Sequence, residues 1–254
     1  MKPVYFRSFG KRKESLPLET SILDPISGTR LTCQTLSEVL KHRIIRPNTR
    51  HHSLKDRLSA SLPTQGFPGT YRPQGILFTT EQRPDYCVPF DLMALTYGKT
   101  FTSQDYGSDF LPGHERFVFP DFEAMEEQFP NSREALEALN TLREAHGLAP
   151  LDRDRIYNEV CFEDAVGIQP VALVGTSPEL IDLSRQHRIK RYGSMDGYLR
   201  AAQRKRDIRD SLAVGLPATI AASVMLAIQA LMPQEVQDRA VEPLLVLDRA
   251  YFQK

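Results

Sequence analysis

Residues 158–175, NEVCFEDAVGIQPVALVG, contain two apolar runs separated by a short polar loop. The first run belongs to the alternating stretch RIYNEVCFE (155–163), and the second belongs to QPVALVG (169–175). Alternation of apolar and polar residues is typical of a half-buried strand, and a short apolar run that ends at glycine is typical of a buried one. We therefore predict two strands, with Glu159 near the start of the first.

Two further strands are predicted closer to the N-terminus. The stretch PVYFRSF (3–9) is apolar but interrupted by Arg7, and ILFTT (76–80) follows a glycine and ends in Thr79 and Thr80. Threonine is common in strands, so β-propensity alone would explain the pair. The alternative interpretation is that the two hydroxyls hold a polar ligand at the strand end. A fifth strand is predicted within RFVFP (116–120).

Capping patterns predict helices between these strands. Each pattern places a capping side chain three residues ahead of a glutamate: Thr35 with Glu38, Asn131 with Glu134, and Thr176 with Glu179. We also predict helices over 122–129 and from about Pro89 within 86–97, whereas 10–34 and 48–74 are predicted to be loops. Strands and helices mix without a regular βαβ rhythm, which indicates an α+β fold.

The composition is that of a soluble globular chain. Of 254 residues, 41% are apolar, and 32 Lys+Arg balance 32 Asp+Glu, so net charge indicates no partner. Three cysteines without a CxxC pair argue against a disulfide framework or a zinc site. No signal peptide is visible, and the uncharged stretch 215–232 is predicted to be a buried amphipathic helix, not a membrane span. We expect a cytoplasmic protein, although a cell-injected effector would look the same.

Three predicted strands thus carry polar side chains that suit a nucleotide site: Arg7, the pair Thr79 and Thr80, and Glu159. An arginine can hold a phosphate bidentately, and strand-end hydroxyls can position a ribose. A carboxylate can stabilise positive charge that develops on an anomeric carbon.

This arrangement resembles the ADP-ribosyltransferase superfamily, whose folds use an arginine or histidine on the first strand, a Ser/Thr-bearing strand in the middle and a glutamate on a late strand. TLSEVLKHRIIRP (35–47) and residues 158–175 resemble the early helix and the late strand pair of the DNA- and RNA-modifying branches. His42-Arg43 stands where those branches usually have glycine, which is a departure. The resemblance covers roughly residues 3–182.

The resemblance implies a split-sheet core over residues 1–185, followed by a helical, basic extension over 186–254. NAD is then the substrate, Arg7 contacts its phosphate or ribose, Thr79 and Thr80 brace the nicotinamide pocket, and Glu159 is catalytic. The candidates to stack on nicotinamide are Tyr71, Tyr86 and Tyr97. ADP-ribose would pass to a macromolecular acceptor, nucleic acid or protein, or to water. Tyr157, two residues before Glu159, argues against a protein-arginine acceptor.

Other interpretations remain open at this point. Arg7 and Glu159 could be ordinary surface residues, and Cys87 or Cys161 with His114 or His187 could form a Cys–His hydrolase. No metal site is expected, because no HExxH motif or matched histidine spacing is present. The main alternative function is a non-catalytic effector or adaptor that docks a partner, with no membrane contact, through the basic helical C-terminal region, where 185–209 hold nine Lys/Arg and two acids. The enzyme hypothesis requires Arg7, Thr79 with Thr80, and Glu159 to converge in one cleft.

Overall fold

The structure, a computed structural model, describes residues 2–10, 17–23, 30–47, 58–97, 110–151, 157–162 and 165–215. Within these ranges the chain combines helices with several small sheets, which confirms the α+β prediction at this coarse level. The strands are β1 (Tyr5–Ser8), β2 (Glu19–Leu23), β3 (Arg30–Thr35), β4 (Ile44–Ile45), β5 (Leu58–Ala60), β6 (Gly75–Thr79), β7 (Tyr86–Val88), β8 (Glu159–Phe162), β9 (Val166–Gly167), β10 (Gln169–Val174) and β11 (Lys190–Tyr192). The α-helices are α1 (Leu36–His42), α2 (Phe122–Gln128), α3 (Ser132–Ala145), α4 (Pro178–Gln186) and α5 (Met195–Gly215).

Two sheets meet at β1. One has the strand order β1-β6-β10-β11, and the other has the order β5-β8-β7. Among the described residues, one antiparallel bridge joins them, in which Phe6 and Ser61 exchange backbone hydrogen bonds of 2.7 and 2.8 Å. β1 therefore lies between β6 on one side and β5 on the other.

Alternating residues of β1, β6 and β10 pack on the two faces of their sheet. Tyr5, Ile76 and Phe78 belong to the main core, while Phe6 and Leu77 belong to a smaller cluster with Met195 and Leu199 of α5. This alternation is what the two-residue period of a strand dictates. Burial on both faces explains why ILF within β6 is an uninterrupted apolar run.

Gly75 is required by the close approach of β6 to β1. A Cβ atom built there would lie 2.1 Å from the carbonyl oxygen of Arg7 and 2.7 Å from the ring of Phe6. Any side chain would separate the two strands, so the glycine that precedes ILFTT is a packing requirement of the sheet.

The predicted helix caps are confirmed for α1 and α3. Thr35 and Glu38 form a reciprocal capping box, and the side chain of Asn131 accepts from two backbone N–H groups of α3. α1 ends at Arg43, which adopts a left-handed conformation with φ 57° and ψ 31°. α4 begins one residue later than predicted, with Ser177 and not Thr176 at the N-cap.

Four segments differ from the sequence prediction. The predicted loop 10–34 contains the β2–β3 hairpin, and the predicted loop 48–74 contains β5. The helix predicted from Pro89 is instead β7 followed by a short 3₁₀ helix, Leu92–Leu95, because Tyr86–Val88 pair with β8. RFVFP forms a 3₁₀ helix, His114–Phe117, and a bridge from Phe119 to Cys87. β5, β7 and Phe119 each pair with a partner distant in sequence, which overrides the local pattern, whereas β2 and β3 pair with each other.

The chain divides into two units, Met1–Arg200 and Ala201–Lys254. This boundary lies beyond the predicted one at 185/186, because β11 pairs in parallel with β10 and Met195 and Leu199 pack on the same sheet. The stretch 215–232, predicted to be a buried amphipathic helix, lies outside the described residues from position 216 onward. Among the residues that are described, no helix has the length and apolar character needed to cross a membrane.

Candidate active site

Arg7 lies where β1 and β5 separate. Backbone polar groups alternate along a strand, so the carbonyl of Ser59, like that of Ser61, points towards β1. Arg7 Nη1 donates to this Ser59 carbonyl and also lies 3.3 Å from Ser59 Oγ. Arg7 is buried, with 6% of its surface exposed. Its guanidinium therefore replaces strand pairing and ties β1 to the hydroxyl-bearing residue of β5.

Asn158 fixes β8 against the end of β5. This fully buried side chain accepts from the backbone N–H of Leu62 at 2.7 Å and donates to the Leu62 carbonyl at 2.8 Å. The two bonds satisfy both backbone groups of Leu62 and fix the start of β8 relative to the end of β5. Glu159, the next residue, is thereby placed opposite Val88 of β7 and next to the Ser59 strand.

The side chain of Glu159 is half-buried, and two groups hydrogen-bond to its carboxyl group. Oε2 accepts from the backbone N–H of Leu92 at 2.7 Å, and the side chain also has a hydrogen bond with Ser59. Burial raises the pKa of Glu159 to about 7, and the charge of Asp91 raises it as well, while the hydrogen bonds from Leu92 and Ser59 and the charge of Arg7 partly offset the rise. Glu159 thus changes its charge near neutral pH, as acid–base groups at active sites commonly do.

Tyr157 and Asp91 lie beside this carboxyl group, and Tyr71 packs on Tyr157. Tyr157 OH donates to Asp91 Oδ2 at 2.8 Å, and the ring of Tyr71 packs on the ring of Tyr157 with centroids 5.7 Å apart. Burial raises the pKa of Tyr157 well above its usual value, and the charges of Asp91 and Glu159 raise it further, so its hydroxyl stays protonated. Tyr71 is 59% exposed, which leaves most of its ring accessible to a ligand.

Arg7 and Glu159, two members of the predicted trio, are therefore brought together, with Ser59 between them. Thr79 and Thr80 are not part of this group. β6 is separated from β8 by β1 and β5, and three strand spacings amount to about 14 Å. Thr79 pairs with Gln169 of β10, and Thr80 Oγ1 accepts from the backbone N–H of Gln82 at 3.1 Å in the following turn. The structure thus does not bring Thr79 and Thr80 together with Arg7 and Glu159, because β6 lies on the opposite side of β1.

The other two predicted tyrosines have different surroundings. Tyr86 of β7 lies opposite Cys161 of β8 and is a diagonal cross-strand neighbour of Glu159. Its ring packs against the main core. Tyr97 is bonded instead to His146 at the end of α3, with 3.3 Å between its hydroxyl and Nδ1. Of the three candidates for stacking, Tyr71 alone combines high exposure with contact to the Glu159 cluster.

Sequence reasoning missed Ser59, Asp91 and Asn158. The alternation in LSASL (58–62) is a strand signal, but it is short and follows a polar, basic stretch that reads as a loop. Asp91 and Asn158 had no signal of their own, since their partners are 66 and 96 residues away.

The Cys–His alternative is not supported. Cys87 and Cys161 are buried, and burial raises the pKa of the Cys87 thiol to about 12, so it stays protonated and unreactive. Across the described ranges, no three His, Cys, Asp or Glu side chains are grouped so as to hold a metal ion. Comparisons of the chain with protein-family models, with curated proteins and with solved structures gave no match.

Proposed function

We propose that this chain is an ADP-ribosyltransferase-like enzyme that cleaves the nicotinamide–ribose bond of NAD. The observation that carries the proposal is the meeting of Arg7, Ser59 and Glu159 on three neighbouring strands, β1, β5 and β8. The resemblance in the sequence calls for an arginine on the first strand, a Ser/Thr strand in the middle and a glutamate on a late strand. The hypothesis from the sequence required Thr79 and Thr80 at this site, and that requirement is not met. We therefore assign the middle position to Ser59 of β5 instead.

The conformation of Arg43 is compatible with the resemblance. The related helix-to-strand stretch usually carries glycine where this chain has His42-Arg43. Arg43 adopts the left-handed conformation, φ 57°, that glycine enters without steric cost. The backbone at this turn therefore has the shape that the glycine pattern implies, although the residue differs.

Each side chain has a role that its surroundings support. Arg7 holds Ser59 in place and provides positive charge for a phosphate or ribose of NAD. Ser59 donates to Glu159, and the Glu159 carboxylate stabilises the positive charge that develops on the anomeric carbon. The accessible ring of Tyr71 offers a surface for stacking.

The chemistry is a displacement at the anomeric carbon. The bond between this carbon and the nicotinamide nitrogen breaks, and nicotinamide leaves with the bonding electrons as a neutral molecule. A bond forms to an acceptor oxygen or nitrogen, or to water, and the acceptor releases one proton. No oxidant, reductant or metal ion is needed to balance this reaction.

Nicotinamide release from NAD tests the proposal directly. We expect the wild-type protein to release nicotinamide, and we expect Glu159→Gln to lower the rate by about 100-fold or more, since it removes charge stabilisation in the transition state. Glu81→Gln is the matched control, because Glu81 is an exposed residue just after β6 that pairs with Lys2. Equal rates in the wild type and Glu159→Gln would overturn the assignment of Glu159.

Measuring NAD binding distinguishes an enzyme that only transfers ADP-ribose to an acceptor from a protein with no activity towards NAD. If NAD raises the melting temperature without nicotinamide release, hydrolysis is excluded, and transfer is then measured as labelled ADP-ribose incorporated into added nucleic acid or protein. If NAD causes neither release nor stabilisation, the enzyme proposal fails. The adaptor alternative then gains support, because Arg204, Lys205 and Arg206 of α5 are exposed.

A further inference from the structure

The turn that carries Asp91 and Leu92 is held at two points by the segment that carries Glu159. Tyr157 OH donates to Asp91 Oδ2 at 2.8 Å, and Leu92 N–H donates to Glu159 Oε2 at 2.7 Å. Tyr157 and Glu159 are two residues apart, so one short stretch of chain binds two consecutive residues of the turn.

The other end of the turn is held by a buried arginine. Arg143 of α3 donates through Nη1 to the carbonyl of Ala94 and through Nε to the carbonyl of Ala149, each at 2.9 Å. Arg143 is 6% exposed, and it therefore anchors the 3₁₀ helix Leu92–Leu95 from within the protein. A turn fixed at both ends keeps Asp91 at a constant position relative to Glu159.

We propose that Asp91, held by Tyr157, is a positioning residue that controls the charge and the orientation of Glu159. This inference rests on the proposed function, in which Glu159 must be ionised to act. Asp91 contributes a negative charge, while Tyr157 remains a neutral donor that holds the Asp91 carboxylate and keeps it in place. The Leu92 N–H next to it fixes Oε2 of Glu159.

The charged and titratable groups around Glu159 define the direction of the effect. Asp91 and Tyr157 lie on one side with Tyr71 packed behind, and Arg7 and Ser59 lie on the other. Burial and the Asp91 charge both raise the pKa of Glu159, whereas Arg7, Ser59 and Leu92 N–H lower it. Removing the Asp91 charge alone therefore favours the Glu159 carboxylate and moves its ionisation to lower pH.

The direct test is a carbon-13 NMR titration of the Glu159 side-chain carboxyl, assigned by its loss in Glu159→Gln. In Asp91→Asn, which keeps an oxygen that can accept from Tyr157, we expect the midpoint to fall by about one pH unit. In Tyr157→Phe, which keeps the Asp91 charge and the aromatic packing, we expect a smaller change. Asp182→Asn is the matched control, because Asp182 is exposed on α4. The titration midpoint of Glu159 in this variant should equal that in the wild type.

The kinetic test follows the same variants. We expect the acidic limb of kcat/KM for nicotinamide release to move to lower pH in Asp91→Asn, in step with the NMR midpoint. In Tyr157→Phe, loss of one orienting hydrogen bond should lower kcat by about three- to tenfold with KM nearly unchanged.

The outcomes distinguish this inference from the proposed function. An unchanged Glu159 midpoint in a folded Asp91→Asn protein would overturn the inference, whether or not NAD is cleaved. If Asp91→Asn fails to fold, an unchanged midpoint and unchanged kcat in Tyr157→Phe would overturn it. If the midpoint shifts as expected but the wild type neither binds nor cleaves NAD, the electrostatic coupling stands and the proposed function fails.

Discussion

β5 and β6 flank β1 on opposite sides, and both present hydroxyl side chains, yet only β5 carries one to the candidate site. β6 has three consecutive residues with no exposed surface, Ile76, Leu77 and Phe78. Thr79 at its end pairs with β10, and Thr80 accepts a hydrogen bond within the turn that follows. β5 has three residues, and its Ser59 contacts Arg7 and Glu159. The apolar strand forms the core, while the short strand beside the opening of the sheet carries the polar contacts.

The difference has a physical cause. Where strands are fully paired, their backbone groups are satisfied and their side chains fill the core, which leaves no room for a ligand. Where β1 and β5 separate after the Phe6–Ser61 bridge, a backbone carbonyl and a hydroxyl become accessible to an arginine side chain. At this interruption in the pairing, Arg7 takes the place of a strand partner for the Ser59 carbonyl.

The largest effect on stability is expected on the β5–β8 side, at Asn158. Asn158→Ala removes two hydrogen bonds and leaves the N–H and carbonyl of Leu62 without their partners next to a fully buried position, which should cost about 3 kcal/mol of unfolding free energy. Urea denaturation measures this change. Asn140→Ala is the matched control, since Asn140 makes the same two bonds to Leu151 but is half-buried, and about 1 kcal/mol is expected. Equal losses of unfolding free energy in the two variants would show that the burial of Asn158 adds nothing to the stabilising effect of its hydrogen bonds.

A smaller, pH-dependent effect is expected at Glu159. Because burial raises its pKa in the folded protein to about 7, compared with an ordinary value near 4.5, its protonated form is favoured by folding. This contribution is fully present below about pH 4.5 and is lost as the pH rises through about 7. Glu159→Gln stays neutral at every pH. The free energy of unfolding of this variant, relative to that of the wild type, should therefore be about 2 kcal/mol higher at pH 8 than at pH 5.

Glu38 gives the opposite sign and serves as the control for this pH series. The backbone N–H and the hydroxyl of Thr35 donate to the Glu38 carboxylate and lower its pKa, so its ionised form stabilises the start of α1 above its ordinary pKa and the benefit is lost as the pH falls. Glu38→Gln should be slightly less stable than the wild type at pH 8. Thermal unfolding at pH 5 and pH 8 compares the two variants, and a stabilisation of Glu159→Gln that does not grow with pH would contradict the raised pKa.

The sequence predicts those parts of the site and fold that depend on neighbouring residues. Arg7 and Glu159 stand out because each interrupts or begins an apolar strand, and Thr35 and Asn131 stand out because a cap acts within one helical turn. Ser59 does not stand out, because β5 is too short to show a clear period and is stabilised by Arg7 and β8, which are distant in sequence. Asp91 comes to the site through a turn that Tyr157 and Arg143 hold from elsewhere in the chain.

The most direct comparison of the two strands uses the same substitution on each. Under the proposed function, Ser59→Ala should lower nicotinamide release by about tenfold, because it removes the hydrogen bond to Glu159 and the Oγ contact of Arg7. Losing that hydrogen bond also favours the protonated form of Glu159, so the defect should be larger at pH 6 than at pH 8. Thr79→Ala, on the far side of β1, should stay within about twofold of the wild type at both pH values, since side chains without contact to the site rarely change the rate. A larger defect in Thr79→Ala than in Ser59→Ala would return the site to β6 and contradict the strand assignment, because no contact described at Thr79 reaches Glu159.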